Sequence, residues 1–493
     1  MSMARKWTRA GLAVILAVSG AALARHGTPY RTPSLTPLTP TQQAEQMQAV
    51  RDFDDGDYAD ALPIFDALTA VGDARSETDL GYMYYYGWGV NQNTQRALEL
   101  QKLSAAQGYV KGEDRLGVMY RDAGDYKSAL HWLMLGAQQG DSQSEEDYAW
   151  MFLKGYGVKQ DYAQALHWME LSAAQGNPNA ESDLGFAYEG GQGLKTDYGE
   201  AMHYFSLAAA HGESNSMCDI AYLYEQGWGV PRNYGLTMQW YRLAAQNGND
   251  CGYDGVGYLY DQGFGVPVDD TTALRWWIVA AKDGDASAEN NVGAMYHRGA
   301  GGVALDYKMA AYWFGLAAVQ GNATAEMNLA VLSNDGFGVS QSYARALKLD
   351  QLAAAQDEPH AEEQLGNIYR LGRAAPVDYA MSAKYYMQAA AHGLAQSQAA
   401  LSYLYENGLG VKRDEVAAYR WYLISEAVKR HPIMEDDERC GEDAELPVLN
   451  LADILKNLTP AQKAAAESQA SAWLAAHPGA GPGAPARPGQ QFY

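Results

Sequence analysis

The chain has 493 residues, with 36 Lys and Arg against 59 Asp and Glu, a net charge of −23. Its 47% apolar and 19% charged content excludes a charge-rich disordered chain, and its length excludes a small domain that needs metal or disulfide staples. The acidic balance argues against nucleic acid as a partner, because phosphates would be repelled, and three cysteines in this length make no disulfide scaffold.

At the N-terminus, Arg5, Lys6 and Arg9 precede an apolar run from Ala10 to Leu23, and Ala22-Leu23-Ala24 forms a small-x-small site. This predicts a signal peptide over 1–24, cleaved after Ala24. The run is shorter than the roughly 20 residues that an uncleaved anchor would need. The expected mature protein is periplasmic or secreted, with no stable membrane insertion. Residues 25–40 carry Pro29, Pro33, Pro37 and Pro40 and read as an extended linker.

Three phased series then run through residues 41–430. A Gly-x-Gly-Val/Leu turn appears at Gly87–Val90, Gly155–Val158, Gly191–Leu194, Gly227–Val230, Gly263–Val266, Gly336–Val339 and Gly408–Val411. A helix-ending Gly recurs at 72, 108, 140, 176, 212, 248, 284, 321 and 393, mostly 36 apart, with Asp357 standing in once. An apolar-small-x-x-aromatic pattern, such as Leu184-Gly185…Tyr188, keeps step with both. A repeat of this length is one supersecondary unit that must stack on its neighbours to bury its apolar face. About eleven such units fit.

Each unit reads as two helices. In the unit from Asn179 to Gly212, Leu184 and Tyr188 share a face of the first helix, and Gly185 lets a neighbouring helix approach. Gly191 and Gly193 supply the left-handed turn. In the second helix Ala201, Tyr204, Ala208 and Ala209 form the expected stripe. Trp132, Trp168, Trp240, Trp276, Trp313 and Trp421 occupy the place of Tyr204 in other units and are expected to wedge the helices apart. The first and third units replace the long turn with Asp55-Gly56-Asp57-Tyr58 and Ala123-Gly124-Asp125-Tyr126.

The pattern Ala180…Leu184-Gly185…Tyr188…Gly191-x-Gly193…Asp197-Tyr198…Ala201…Tyr204…Ala208-Ala209…Gly212 resembles the Sel-one-like repeat family, a relative of tetratricopeptide repeats with a longer internal turn. The first and third units look closer to plain tetratricopeptide repeats. The resemblance implies an all-α, right-handed α-α superhelix, or solenoid. It also implies a non-enzymatic role as a binding surface or assembly adaptor. Residues 431–447 form an acidic loop, 448–476 read as two capping helices with Thr459 as an N-cap, and 477–493 are Pro/Gly/Ala-rich and read as a disordered tail.

The natural site is the concave surface of the stacked first helices. Asp79, Asp147, Asp183 and Asp219 recur just before the core apolar residue, with Glu77, Glu113, Glu145 and Glu181 beside them. They are read as a charge ladder for a protein or peptide partner, a basic one by charge, or else as a solvated acidic face. Asn291, Asn328 and Gln364 take that place in later units. Trp88 and Trp228 in the turns are candidates for stacking on a sugar or cell-wall polymer. His131, His167 and His203 form a ladder whose spacing makes a shared metal awkward, and they are read as repeated surface or half-buried side chains, with no metal expected. Cys218 and Cys251, 33 apart, could approach as a disulfide or stay buried thiols, and Cys440 has no evident partner. No cofactor is expected. Ser-x-x-Lys, His-Glu-x-x-His, Gly-x-Ser-x-Gly and a phosphate loop are all missing from the sequence, so a β-lactamase-like hydrolase is the remotest alternative. An envelope-assembly or polymer-export adaptor is the nearer one.

Overall fold

The computed structural model describes residues 37–429 and 451–477. The signal peptide, residues 25–36 of the linker, the acidic loop with Cys440 and the tail from residue 478 lie outside them. The described residues form 24 α-helices and no strand. They make eleven consecutive pairs, from Pro40–Asp54 with Tyr58–Thr69 to Ala395–Asn407 with Glu415–Lys429, followed by Leu451–Asn457 and Pro460–Ala476. This is the tandem helix-pair solenoid. Pro40 belongs to the first helix rather than the linker, because Thr39 caps it in a reciprocal box with Gln42 and proline suits the first helical position.

One residue closes each long turn twice. Asp197 accepts from the backbone N–H of Gly199 and Glu200, capping the second helix, while its own N–H donates to Tyr188 O at 2.9 Å. The second glycine of the turn answers two demands. Gly193 lies at φ 72°, and a Cβ there would meet Tyr162 Cβ at 2.4 Å. No side chain satisfies both the left-handed backbone and that approach.

In the second helix Ala201, Ala208 and Ala209 are buried as expected, and only the aromatic member of the stripe is displaced by one residue. Phe205 is fully buried and Tyr204 only half-buried. A Cβ on Gly185 would meet Phe205 Cε1 at 2.5 Å, so this glycine makes room for Phe205. The same holds for Gly257 under Trp277, Gly293 under Phe314 and Gly366 under Tyr386. The wedge is therefore the residue after the tryptophan. Trp132, Trp168, Trp240, Trp276 and Trp313 are half-buried, whereas Trp421 is buried. Tyr188 is likewise half-buried and stacks on Tyr204 at 5.6 Å.

The described residues divide into two compact units, 37–223 with 228–231, and 224–227 with 232–429 and 451–477. The cores of both are strings of small clusters, each made where one helix pair meets the next. In the second unit the last pair is closed by Pro460–Ala476. Ala470, Trp473 and Leu474 pack on Leu401, Trp421, Ile424 and Val428, while Ile454 and Leu458 pack on Ala418. The closing helix starts at the Thr459 cap, paired with Gln462.

Candidate functional site

The first helices of the N-terminal unit carry a long polar stripe that packing leaves over. Helical periodicity puts positions i, i+4, i+7 and i+11 on one face. In Ala74–Tyr86 these are Arg75, Asp79, Tyr82 and Tyr86, and in Ser142–Lys154 they are Gln143, Asp147, Trp150 and Lys154. In Pro178–Gly190 they are Asn179, Asp183, Phe186 and Gly190. In these three helices carboxylates run beside rings, while Val110–Asp122 between the first two places Lys111, Arg115, Val118 and Asp122 at the same positions. Tyr86 and Phe186 are exposed, and Tyr82 and Trp150 are half-buried.

The four aspartates are more enclosed than a solvated ladder would be. Asp79 lies 3.7 Å from Arg75 Nε. Asp147 is buried against Arg121 Nη1 at 2.5 Å. Trp150 Nε1 donates to Asp183 Oδ2 at 2.8 Å. Asp219 Oδ2 is closed off and accepts no hydrogen bond. Burial pushes the carboxyls of Asp79 and Asp183 up to about 6, and that of Asp219 well above the ordinary range. Asp114 and Glu146 lie buried beside this row. Burial, reinforced by the charge of Asp147, raises both. Two rings already carry cations of the chain itself. The Arg115 guanidinium stands 4.4 Å from the Tyr82 centroid and the Lys154 ammonium 4.6 Å from that of Trp150.

The glutamates do not belong to this surface. Glu77, Glu113, Glu145 and Glu181 are each no more than 5% exposed. Gln107, Gln139 and Gln175 donate through Nε2 to the first three, at 2.7, 2.5 and 2.8 Å, and His211 Nδ1 lies 2.7 Å from Glu181. Each pair ties the start of a first helix to the end of its own second helix. The C-terminal unit repeats the device with Glu289–Gln320 and Glu326–Gln356. These carboxylates are structural joints, and burial raises Glu77 to about 7. The signal for them was the Gln or His just before the helix-ending Gly, 30 residues after Glu77, Glu145 and Glu181 and 26 after Glu113 in the short third pair.

The Sel1 repeat matches ten times in succession, at 74–109, 112–141, 142–177, 178–213, 214–249, 253–285, 286–322, 323–358, 359–394 and 395–425. The chain belongs to the Sel1 repeat family. The shorter third pair is included among the Sel1 repeats, while the first pair, Pro40–Thr69, precedes them. Among solved structures, the chain is similar to c5321, a protective antigen of uropathogenic Escherichia coli strains with an SLR fold. The two share 27% identity over 83% of this chain and 94% of that one, with a TM-score of 0.46. A Sel1 repeat protein from Oxalobacter formigenes shares 29% identity over 49% of this chain and 96% of its own, with a TM-score of 0.45. No curated protein matches the chain. Sel1 repeat folds generally serve as non-catalytic scaffolds for protein binding.

In this Sel1 repeat protein the turn aromatics act as links between repeats. Trp88 stacks on Tyr58 at 5.3 Å and on Tyr86 at 4.7 Å. Trp228 packs on Tyr198 and Tyr222 and keeps 36% of its surface exposed. Tyr126–Tyr156, Tyr234–Phe264 and Tyr307–Phe337 repeat the contact. Each joins a turn to the first residue of the preceding second helix. His131, His167 and His203 are exposed, each edge-on to the ring that follows it. Cys218 and Cys251 are both disulfide-bonded. Among the described residues no three His, Cys, Asp or Glu side chains converge on a metal position, and no helix is long and apolar enough to cross a membrane.

Proposed function

We propose that this Sel1 repeat protein is a non-enzymatic scaffold of the cell envelope, exported by its N-terminal signal, whose N-terminal unit docks a basic segment of a partner protein on the first-helix face. One observation carries the reading: rings stand beside carboxylates on three helices of that face, and Arg115 and Lys154 already occupy Tyr82 and Trp150. An aromatic face backed by a carboxylate attracts a cation through both its quadrupole and its charge. Asp183 serves here by holding Trp150 in place rather than by direct display. The partner's cations would meet chiefly Tyr86, Phe186 and the edges of Tyr82 and Trp150.

The test is crosslinked capture from envelope extract by residues 25–493, beside a Tyr86→Ala/Phe186→Ala variant and a Trp88→Ala/Trp228→Ala variant. A defined protein captured by the parent and by the turn variant, but lost from the face variant and weakened by salt, is the expected result. Equal capture by all three would remove the face from consideration. Loss only with the turn tryptophans, together with binding to wall fragments, would favour cell-wall association instead.

A further inference from the structure

The second helices carry a wedge series that is apolar or aromatic except at two members, Gln101 over Gly81, whose Nε2 donates to Thr78 O, and Asp350. The buried residue is Phe205, Tyr241, Trp277 and Phe314, then Asp350, then Tyr386. Asp350 is 2% exposed, and its Oδ1 is enclosed with no hydrogen-bond partner. The position that faces it by register, glycine at 257, 293 and 366, is Ala330. The joint has thus exchanged an aromatic ring over a glycine for a short carboxylate over an alanine. A buried polar atom without a partner loses its hydration and gains nothing in return.

Nothing around Asp350 offsets its charge. Its own helix, Tyr343–Ala354, carries Arg345 and Lys348, both on other faces of the turn. Helix Ala323–Asp335 brings Glu326, bonded to Gln356, and Asp335. Helix Pro359–Leu371 brings His360, Glu362, Glu363 and Arg370, and its cap residue is Glu358. Of these, Glu358 acts on Asp350, with the same sign.

We propose that the pair Ala323–Asp335 and Tyr343–Ala354 is a built-in weak joint of the C-terminal unit, opened by the charge on Asp350 and closed by its protonation. The sign follows from linkage. Burial raises the carboxyl well above its ordinary value in the closed pair, whereas an opened helix returns it to the ordinary range. The closed state therefore holds a proton that the open state releases, and closure weakens as pH rises.

Hydrogen exchange on the full chain, corrected for intrinsic rates, tests this at about pH 5.5 and about pH 8. At the higher pH, amides of Tyr343–Ala354 should exchange at least about tenfold faster than those of Tyr307–Val319 and Tyr379–Ala391, and at the lower pH this excess should shrink. Asp350→Asn, which cannot ionise, should lose most of this pH change, leaving the part that belongs to Glu326 and Glu362, both raised by burial. Asp350→Leu should abolish the excess. Even protection across residues 307–391, or an unchanged pH response in Asp350→Asn, would overturn the proposal. If Asp350→Leu fails to fold, the Asn variant and the double change Ala330→Gly/Asp350→Phe, which restores the neighbours' pairing, still decide it.

Discussion

The two units share a packing scheme and differ in what they place on the stripe it leaves over. The N-terminal unit has Asp79, Arg115, Asp147, Asp183 and Asp219 in the row where the C-terminal unit has Gly255, Asn291, Asn328, Gln364 and Ala400. In the first, the row is held by Arg121 and Trp150. In the second, neutral amides bridge it: Asn291 donates to Asp254 at 2.8 Å and Asn328 to Asn290 at 3.0 Å. A solenoid repeat must conserve what its neighbours touch, and is free to change the rest. Charge and rings concentrated in one unit therefore mark the half where recognition is expected, while the other unit carries the buried carboxylate of Asp350.

The largest expected effect lies in what the units share. Phe205→Ala should cost about 3–5 kcal/mol in denaturant melts, and Trp277→Ala in the other unit a similar amount. Tyr204→Ala, one residue away and half-buried, should cost clearly less, and equal losses would return the wedge to the expected register. Next come the turns. Gly338→Ala should destabilise by about 2–3 kcal/mol, since φ is 68° and a Cβ would press on the Tyr307 carbonyl. Gly321→Ala, also at positive φ but with open space around it, should cost about 1 kcal/mol.

Titration should act on both units, since burial also raises Asp254 and Glu362 of the second to about 7. Carboxyls raised by burial hold protons that an unfolded chain has already released, so their contribution falls as pH rises through the folded values. Asp79 and Asp183 at about 6 and Glu77 at about 7 put that loss between mildly acidic and neutral pH. Thermal melts should drop across this window, and Glu77→Gln, which still offers Gln107 an acceptor, should reduce the drop. A steeper profile in that variant would contradict burial as the cause. The smallest effect is expected at the rim, where Arg75→Gln should change stability by less than about 0.5 kcal/mol, because Arg75 is 45% exposed and stands 3.7 Å from Asp79.

Much of the architecture was legible because a solenoid writes itself in one dimension. The period of 36, the turn glycines and the caps at Asp197 and Thr459 are local features, and each specifies its own backbone geometry. The family followed from their phase. The register of the wedge did not follow, since Tyr204 and Phe205 are both aromatic and only the helix seated over Gly185 distinguishes them. The glutamates escaped for the same reason. Glu77 and Asp79 look alike along the chain, yet Glu77 points at Gln107 and Asp79 toward the open stripe. Sequence by itself determined the repeat, its helices and its turns, which depend on neighbours a few residues away. Tertiary structure decided which acids are joints, which rings are wedges and that the carboxylate of Asp350 is buried, because burial depends on side chains brought together from tens of residues apart.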